Sequence, residues 1–111
     1  MIARGDLYYA DLDPTVGHEM QKTRPALVMS NNTINERAAV IVVCPITGAA
    51  GKSGRYHIFI PEGTGGLNKD SIIHCGQIRA IDKERLGQRI GSIDSQTMAL
   101  VEEGIKIVLS L

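Results

Sequence analysis

Tryptophan is absent from this 111-residue chain, and Phe59 is its only phenylalanine. A core without many aromatic rings must be filled by Ile, Val, Leu and Met. The hydrophobic fraction of 43% is enough for that; it is ordinary for a folded chain and argues against disorder. Net charge is lacking too, because 12 basic residues balance 12 acidic ones, so bulk charge attracts no polyanion. There are only two cysteines, Cys44 and Cys75, both in apolar runs. They read as reduced, packed thiols and not as a disulfide framework. Neither has a basic loop beside it, which argues against a cysteine nucleophile. The longest apolar stretch, residues 38–46, contains Pro45 and falls far short of the ~20 residues that span a bilayer. "MIARGDLYY" shows no apolar signal-peptide core. These features predict a soluble, cytoplasmic protein with no membrane partner, and the length predicts one domain over residues 1–111.

What is present is unevenly spread. Residues 22–57 hold five cations (Lys22, Arg24, Arg37, Lys52 and Arg55) against one acid, Glu36, a local net charge of +4. Such a segment forms either a solvated face or a basic binding surface. No repeat or low-complexity tract interrupts the chain. Short strand-like runs alternate with turn clusters: "DLYYADL" (6–12), "ALVMSN" (26–31), "AVIVVCPIT" (39–47), "YHIFI" (56–60), "SIIHCGQIRAI" (71–81) and "GQRIGSI" (87–93). The third, nearly all apolar and β-branched, predicts a central strand buried on both faces. Residues 82–86 fit one helical turn. From Asp94, a good N-cap, Met98, Val101, Ile105, Val108 and Leu109 recur at helical spacing, with Gly104 interrupting the pattern. The expected fold is mostly β (α+β): a small, curled, barrel-like sheet of short antiparallel strands with a C-terminal α-helix. Its long loops at 13–25, 48–55 and 61–70 are the natural carriers of function.

"GHEMQKTRPALVMSNN" (17–32) sets an Arg-Pro pair against an apolar run. Proline fixes its own φ and pushes the preceding residue toward extended geometry. Arg24 is therefore expected at the last position before the sheet, held on its rim. A planar guanidinium in a fixed place can grip a phosphate through two parallel hydrogen bonds. The alternative is a loop clamp, in which Arg24 pairs with Glu19 or an aspartate. Thr47 ends the most buried strand beside a glycine-containing loop with Lys52 and Arg55, where a hydroxyl can meet a phosphate; threonine is also a common strand residue.

Several of these runs together resemble the MazF/PemK-type toxins of bacterial toxin–antitoxin systems: "RGDLYYADLDPTVGHE", "TRPALVMSNN", "VVCPIT", "GGLNKDSII" and "QIRAIDKERLGQRIG". The likeness covers nearly the whole chain in order, from Arg4 to the C-terminal helix. It implies an SH3-like barrel, a homodimer, and cleavage of single-stranded RNA at short sequences without a metal or other cofactor. The family's catalytic arginine of "RP" and threonine of "IT" match Arg24 and Thr47. The implied chemistry is attack of the ribose 2′-OH on the adjacent phosphate, leaving 2′,3′-cyclic phosphate and 5′-OH ends.

Other implied roles follow residue by residue. Lys52 and Arg55 are candidate phosphate contacts, and Asn31 and Gln77 match positions implicated in RNA contact. Glu19 also matches the pattern, with loop ordering as its alternative. Arginine stays protonated near neutral pH, so either the site activates Arg24 unusually or another group moves the proton. His18, in the same loop, is the auxiliary acid/base candidate, its alternative being a plain surface histidine. Two departures stand out: "EMQKTRP" where many relatives have "EQGGxRP" or "EQAGxRP", and Gly76 where relatives often carry an acid. The resemblance also implies a cognate antitoxin whose acidic C-terminal tail covers the RNA site. A metal site is not expected, because His74 and Cys75 are adjacent in a strand and point to opposite faces, while His18, His57 and Cys44 lack ligand spacing. The rival reading is a toxin of the same fold that binds DNA gyrase without cutting; it has no need of Arg24 and Thr47 together.

Overall fold

A computed structural model describes residues 1–49 and 54–111. Seven strands form in chain order: β1 Asp6–Asp11, β2 Thr23–Val28, β3 Val40–Gly48, β4 His57–Ile60, β5 Ser71–His74, β6 Arg79–Asp82 and β7 Leu86–Ser92. Two helices join them, α1 Asn32–Arg37 and α2 Ser95–Leu109. The sheet runs β4-β5-β3-β2-β1-β7 with β6 also on β3, and every pair is antiparallel. The mostly β class with a C-terminal helix is as the sequence predicts. Among the described residues no ladder joins β4 to β7, so the curled sheet stays open where a barrel would close.

β3 organises the molecule. Its first half pairs with β6 (Val40↔Asp82 to Val43↔Arg79) and its last turns to β5 (Ile46↔Ile73 to Gly48↔Ser71). Alternation then sends Cys44 and Ile46 into one apolar layer, with Leu7, Leu27, Ile58, Ile73 and Val101. Ile41 and Val43 enter a second layer on the opposite face, with Tyr8, Ala10, Ala26, Val28 and Ile81. The strand is buried on both faces because each face has its own core.

α2 closes the first layer through buried Met98 and Val101 and the partly buried Ile105 and Val108. Leu109, expected on that stripe, is instead 50% exposed. Asp94 caps the helix, accepting from the Thr97 N–H at 2.7 Å, and these backbone donors lower its carboxyl pKa.

The larger differences from the sequence reading lie in β2 and in the run 71–81. β2 begins at Thr23 and ends at Val28, so Arg24 and Pro25 lie inside the strand. Residues 29–31 leave it, and Asn31 caps α1 by accepting from the Ile34 N–H at 2.9 Å. That six-residue helix is too short to show a helical period. The run 71–81 breaks into β5 and β6 around a 3₁₀ turn, Cys75–Gln77. There the Cys75 N–H donates to the Tyr56 carbonyl at 3.2 Å, and its thiol is buried against Val101 of α2. Residues 83–85 form the short turn expected near 82–86, capped by Asp82.

Candidate active site

β2 and β3 pair only at Ala26↔Pro45, Leu27↔Cys44 and Val28↔Val43. A proline has no N–H to give a ladder, and Pro25 and Pro45 stand where this one stops. Continued by two residues, the same register sets Arg24 against Thr47 with no backbone pair between them. The space there is a cleft of about 150 Å³ lined by Tyr9, Arg24, Pro25, Thr47, Gly48 and Lys69, among others. Arg24 and Thr47 share the sheet face of the second apolar layer and stand at its rim.

The backbone of Arg24 is held from the other side, where it pairs with Ala10 of β1. Its Nε donates to the Gln21 carbonyl at 2.8 Å, which aims the guanidinium. Among the described residues its two terminal nitrogens have no protein partner. The ion pairs found there are Arg4–Glu102 at 2.7 Å and Arg89–Asp6 at 3.2 Å, so no carboxylate clamps Arg24. A free fork on an ordered strand is suited to an incoming phosphate.

The other expected residues are distributed differently. Glu19 accepts from the Val16 N–H at 2.6 Å, folding its own loop. With Gln77, Gly76 and Arg79 it also lines a second cleft of about 360 Å³. Gln77 Oε1 accepts from the Met20 N–H at 3.3 Å, so the two departures from the family pattern, at 20–22 and at 76, meet there. Asn31 is engaged at the start of α1, outside both clefts. Arg55 is exposed. Lys52 lies outside the described residues. His18 is exposed and lines neither cleft.

Two residues that the sequence reading passed over belong to this site. Lys69 reaches over Gly48, its Cε and Nζ 3.2 Å from where a Cβ would stand, and adds a second cation to the cleft. It comes from the loop at 61–70, not from the basic 22–57 segment. His74 Nε2 lies 2.7 Å from Thr47 Oγ1. Register explains the contact: Thr47 pairs with Ile72, and His74, two residues on, shares that face as a diagonal neighbour. His57 is paired with His74 across β4–β5, with ring centroids 5.0 Å apart. Burial, then His57, then the charge of Arg24 push the His74 pKa below the usual histidine value. Its imidazole is thus favoured neutral. Both cysteines are buried and free. Among the described residues no three His, Cys, Asp or Glu side chains are grouped to hold a metal.

A family model described as "PemK-like, MazF-like toxin of type II toxin-antitoxin system" matches residues 3–109. The chain belongs to that family. The toxin is 38% identical over 112 residues to endoribonuclease EndoA of Bacillus subtilis, covering 100% of this chain and 97% of that protein. Its fold superposes on MazF from Deinococcus radiodurans with a TM-score of 0.87 at 23% identity, covering 99% of this chain and 97% of the other. An endoribonuclease solved with its cognate antitoxin from a mycobacterial species gives a TM-score of 0.81 at 21% identity, covering 100% and 97%. At such identities these two structures speak for the fold alone. No helix among the toxin's described residues is long and apolar enough to cross a membrane.

Proposed function

We propose that the toxin is a metal-independent, sequence-specific endoribonuclease that cuts single-stranded RNA through the Arg24–Thr47 cleft. The chain is an endoribonuclease by family and by its full-length likeness to EndoA. The observation that carries the finer reading is the convergence of Arg24 and Thr47, from two different strands, on one cleft with Lys69. In this reading the phosphodiester enters between them. Arg24 and Lys69 meet the charge that grows on the phosphorus oxygens as the 2′-OH attacks. Preorganised donors of that kind contribute about 3 kcal/mol each to transition-state stability. The 2′-oxygen bonds to phosphorus, the 5′-oxygen leaves, and the products are a 2′,3′-cyclic phosphate and a 5′-OH. The unstacked bases are read in the flanking cleft of Glu19, Gln77 and Gly76, and Asn31, Lys52 and Arg55 contact RNA further along.

The toxin works in the cytoplasm as a single domain that pairs into a homodimer. A groove of about 590 Å³ in which Met29, Ile34, Val42, Ile78 and Ile105 stand beside Arg4, Glu102 and Lys106 supports that pairing. So do Leu100, Ile107 and Leu109, exposed on α2, which leave apolar side chains for a partner to cover. An antitoxin with an acidic tail lies over the same cations and competes with RNA. The test is a mixed RNA pool incubated with the protein in excess EDTA, followed by sequencing of both new ends. Cuts at one short motif with cyclic-phosphate and 5′-OH ends are expected. Uncut RNA, with inhibition of gyrase supercoiling by the same preparation, overturns the reading in favour of a gyrase-binding toxin.

A further inference from the structure

We propose that His74 is the base of the reaction, acting through Thr47: the Thr47 hydroxyl takes the proton of the ribose 2′-OH and passes its own to His74 Nε2. The inference rests on the ribonuclease reading above and supplies what that reading lacks. A guanidinium is already protonated near neutral pH and has no site to accept a further proton. His18, the histidine singled out by sequence, lines neither cleft. His74 is the histidine in contact with the site, 2.7 Å from Thr47 Oγ1.

The geometry suits a relay. Thr47 lines the cleft from the central strand, and its hydroxyl is within hydrogen-bond distance of the imidazole. His74 is fixed behind it by β5 and by its pairing with His57. Tyr56 packs edge-on against His57, with ring centroids 4.6 Å apart. Among the described residues, the titratable or charged groups facing His74 are His57 from β4 and Arg24 from β2, and both disfavour its imidazolium. Neutral His74 with its proton on Nδ1 leaves Nε2 as an acceptor for the threonine O–H.

Each bond is accounted for. The 2′-O–H bond breaks and a Thr47 Oγ1–H bond forms, while the original Oγ1–H bond breaks and Nε2–H forms. The 2′-oxygen then bonds phosphorus, and the 5′-oxygen departs with the P–O pair and takes a proton from water. The imidazolium of His74 neutralises the resulting hydroxide, which restores the site. His74 does not touch RNA; it is a positioning and relay residue whose effect passes through Thr47.

The alternative is that Nε2–H donates to Thr47 and only orients it. The two differ in tautomer and in pH response, because an imidazolium donates equally well. Long-range proton–nitrogen correlation spectra of the wild-type protein at neutral pH are expected to show a bare Nε2 on His74; a protonated Nε2 overturns the relay without any activity measurement. With an RNA carrying the mapped cut site, wild-type kcat is expected to fall on the acid side, with a midpoint below that of free histidine. His74→Gln keeps a hydrogen-bonding group near Thr47. It is expected to lower kcat by about 10²-fold or more, with KM little changed, and to remove that acid limb. Activity within about threefold of wild type, or an acid limb that persists, overturns the proposal. Cleavage that needs Arg24 but not His74 removes the relay alone, whereas no cleavage by wild type removes the ribonuclease reading with it.

Discussion

Single side chains decide the chemistry of this site, and His74 shows how. Its pKa lies below the ordinary histidine value near 6.5, first because it is desolvated and then because His57 and Arg24 oppose its charge. A depressed folded-state pKa means that the unfolded chain binds the proton more readily. The stability this position contributes is whole above about pH 6.5 and is lost as pH falls through the folded pKa. Wild type is therefore expected to lose more stability than His74→Gln between about pH 7 and 5 in urea titrations. Equal losses in the two proteins would contradict the assigned environment. At this scale the sequence was only half legible. Arg24 and Thr47 could be named as candidates because each belongs to a recognisable motif. His74 and Lys69 could not, because their contacts depend on the β3–β5 register and on the path of the loop at 61–70, neither of which is written locally.

Elements explain the residues that break local rules. Lys22 holds a left-handed φ of 69°, a conformation that costs a side-chain-bearing residue about 1 kcal/mol or more. Its carbonyl accepts from the Leu12 N–H at 3.0 Å, closing the loop that starts β2. Relatives of the "EQGGxRP" pattern carry glycine here. Lys22→Gly is accordingly expected to stabilise the protein by about 1 kcal/mol in denaturant unfolding; a loss of stability would show that this turn is not strained. Gly104 breaks the helical pattern for a different reason. A Cβ there would stand 2.8 Å from Cys75 Sγ and 3.3 Å from Tyr56 Cα. Glycine lets α2 approach the start of β4 and the Cys75–Gln77 turn. Gly104→Ala gains helix propensity of about 1 kcal/mol but overpacks a site where such strain costs about 1–3 kcal/mol. Net destabilisation is expected, reduced when Cys75→Ala is added to the same chain. Measured without Cys75→Ala, a gain in stability would refute the close packing. The strands and α2 were legible from apolar period and turn residues. The missed α1 and the broken 71–81 run were not, since one is shorter than two helical turns and the other is interrupted to bury Cys75.

Across the whole molecule, zero net charge conceals a cleft that Arg24 and Lys69 line together with Thr47. The basic 22–57 segment hinted at this surface but did not name Lys69, which folding supplies from elsewhere. Each phosphate neutralised by such a cation adds about −0.7 to the slope of log affinity against log salt for a single strand. Lys69→Gln is expected to make that slope shallower by about this amount in binding titrations with an uncleavable RNA. An unchanged slope would place Lys69 off the RNA path. An acidic antitoxin tail that competed for the same cations, as proposed above, would share this salt sensitivity.

The central claim is that Arg24 and Thr47, brought together by a ladder that ends at two prolines, perform the cleavage. Single-turnover cutting of a short RNA carrying the mapped site, in excess EDTA, tests it most directly. Arg24→Ala and Thr47→Val, each folded and each still binding RNA, are expected to cut at least about 10²-fold more slowly than wild type. Cutting by either variant at the wild-type rate would contradict the account and move the chemistry out of this cleft.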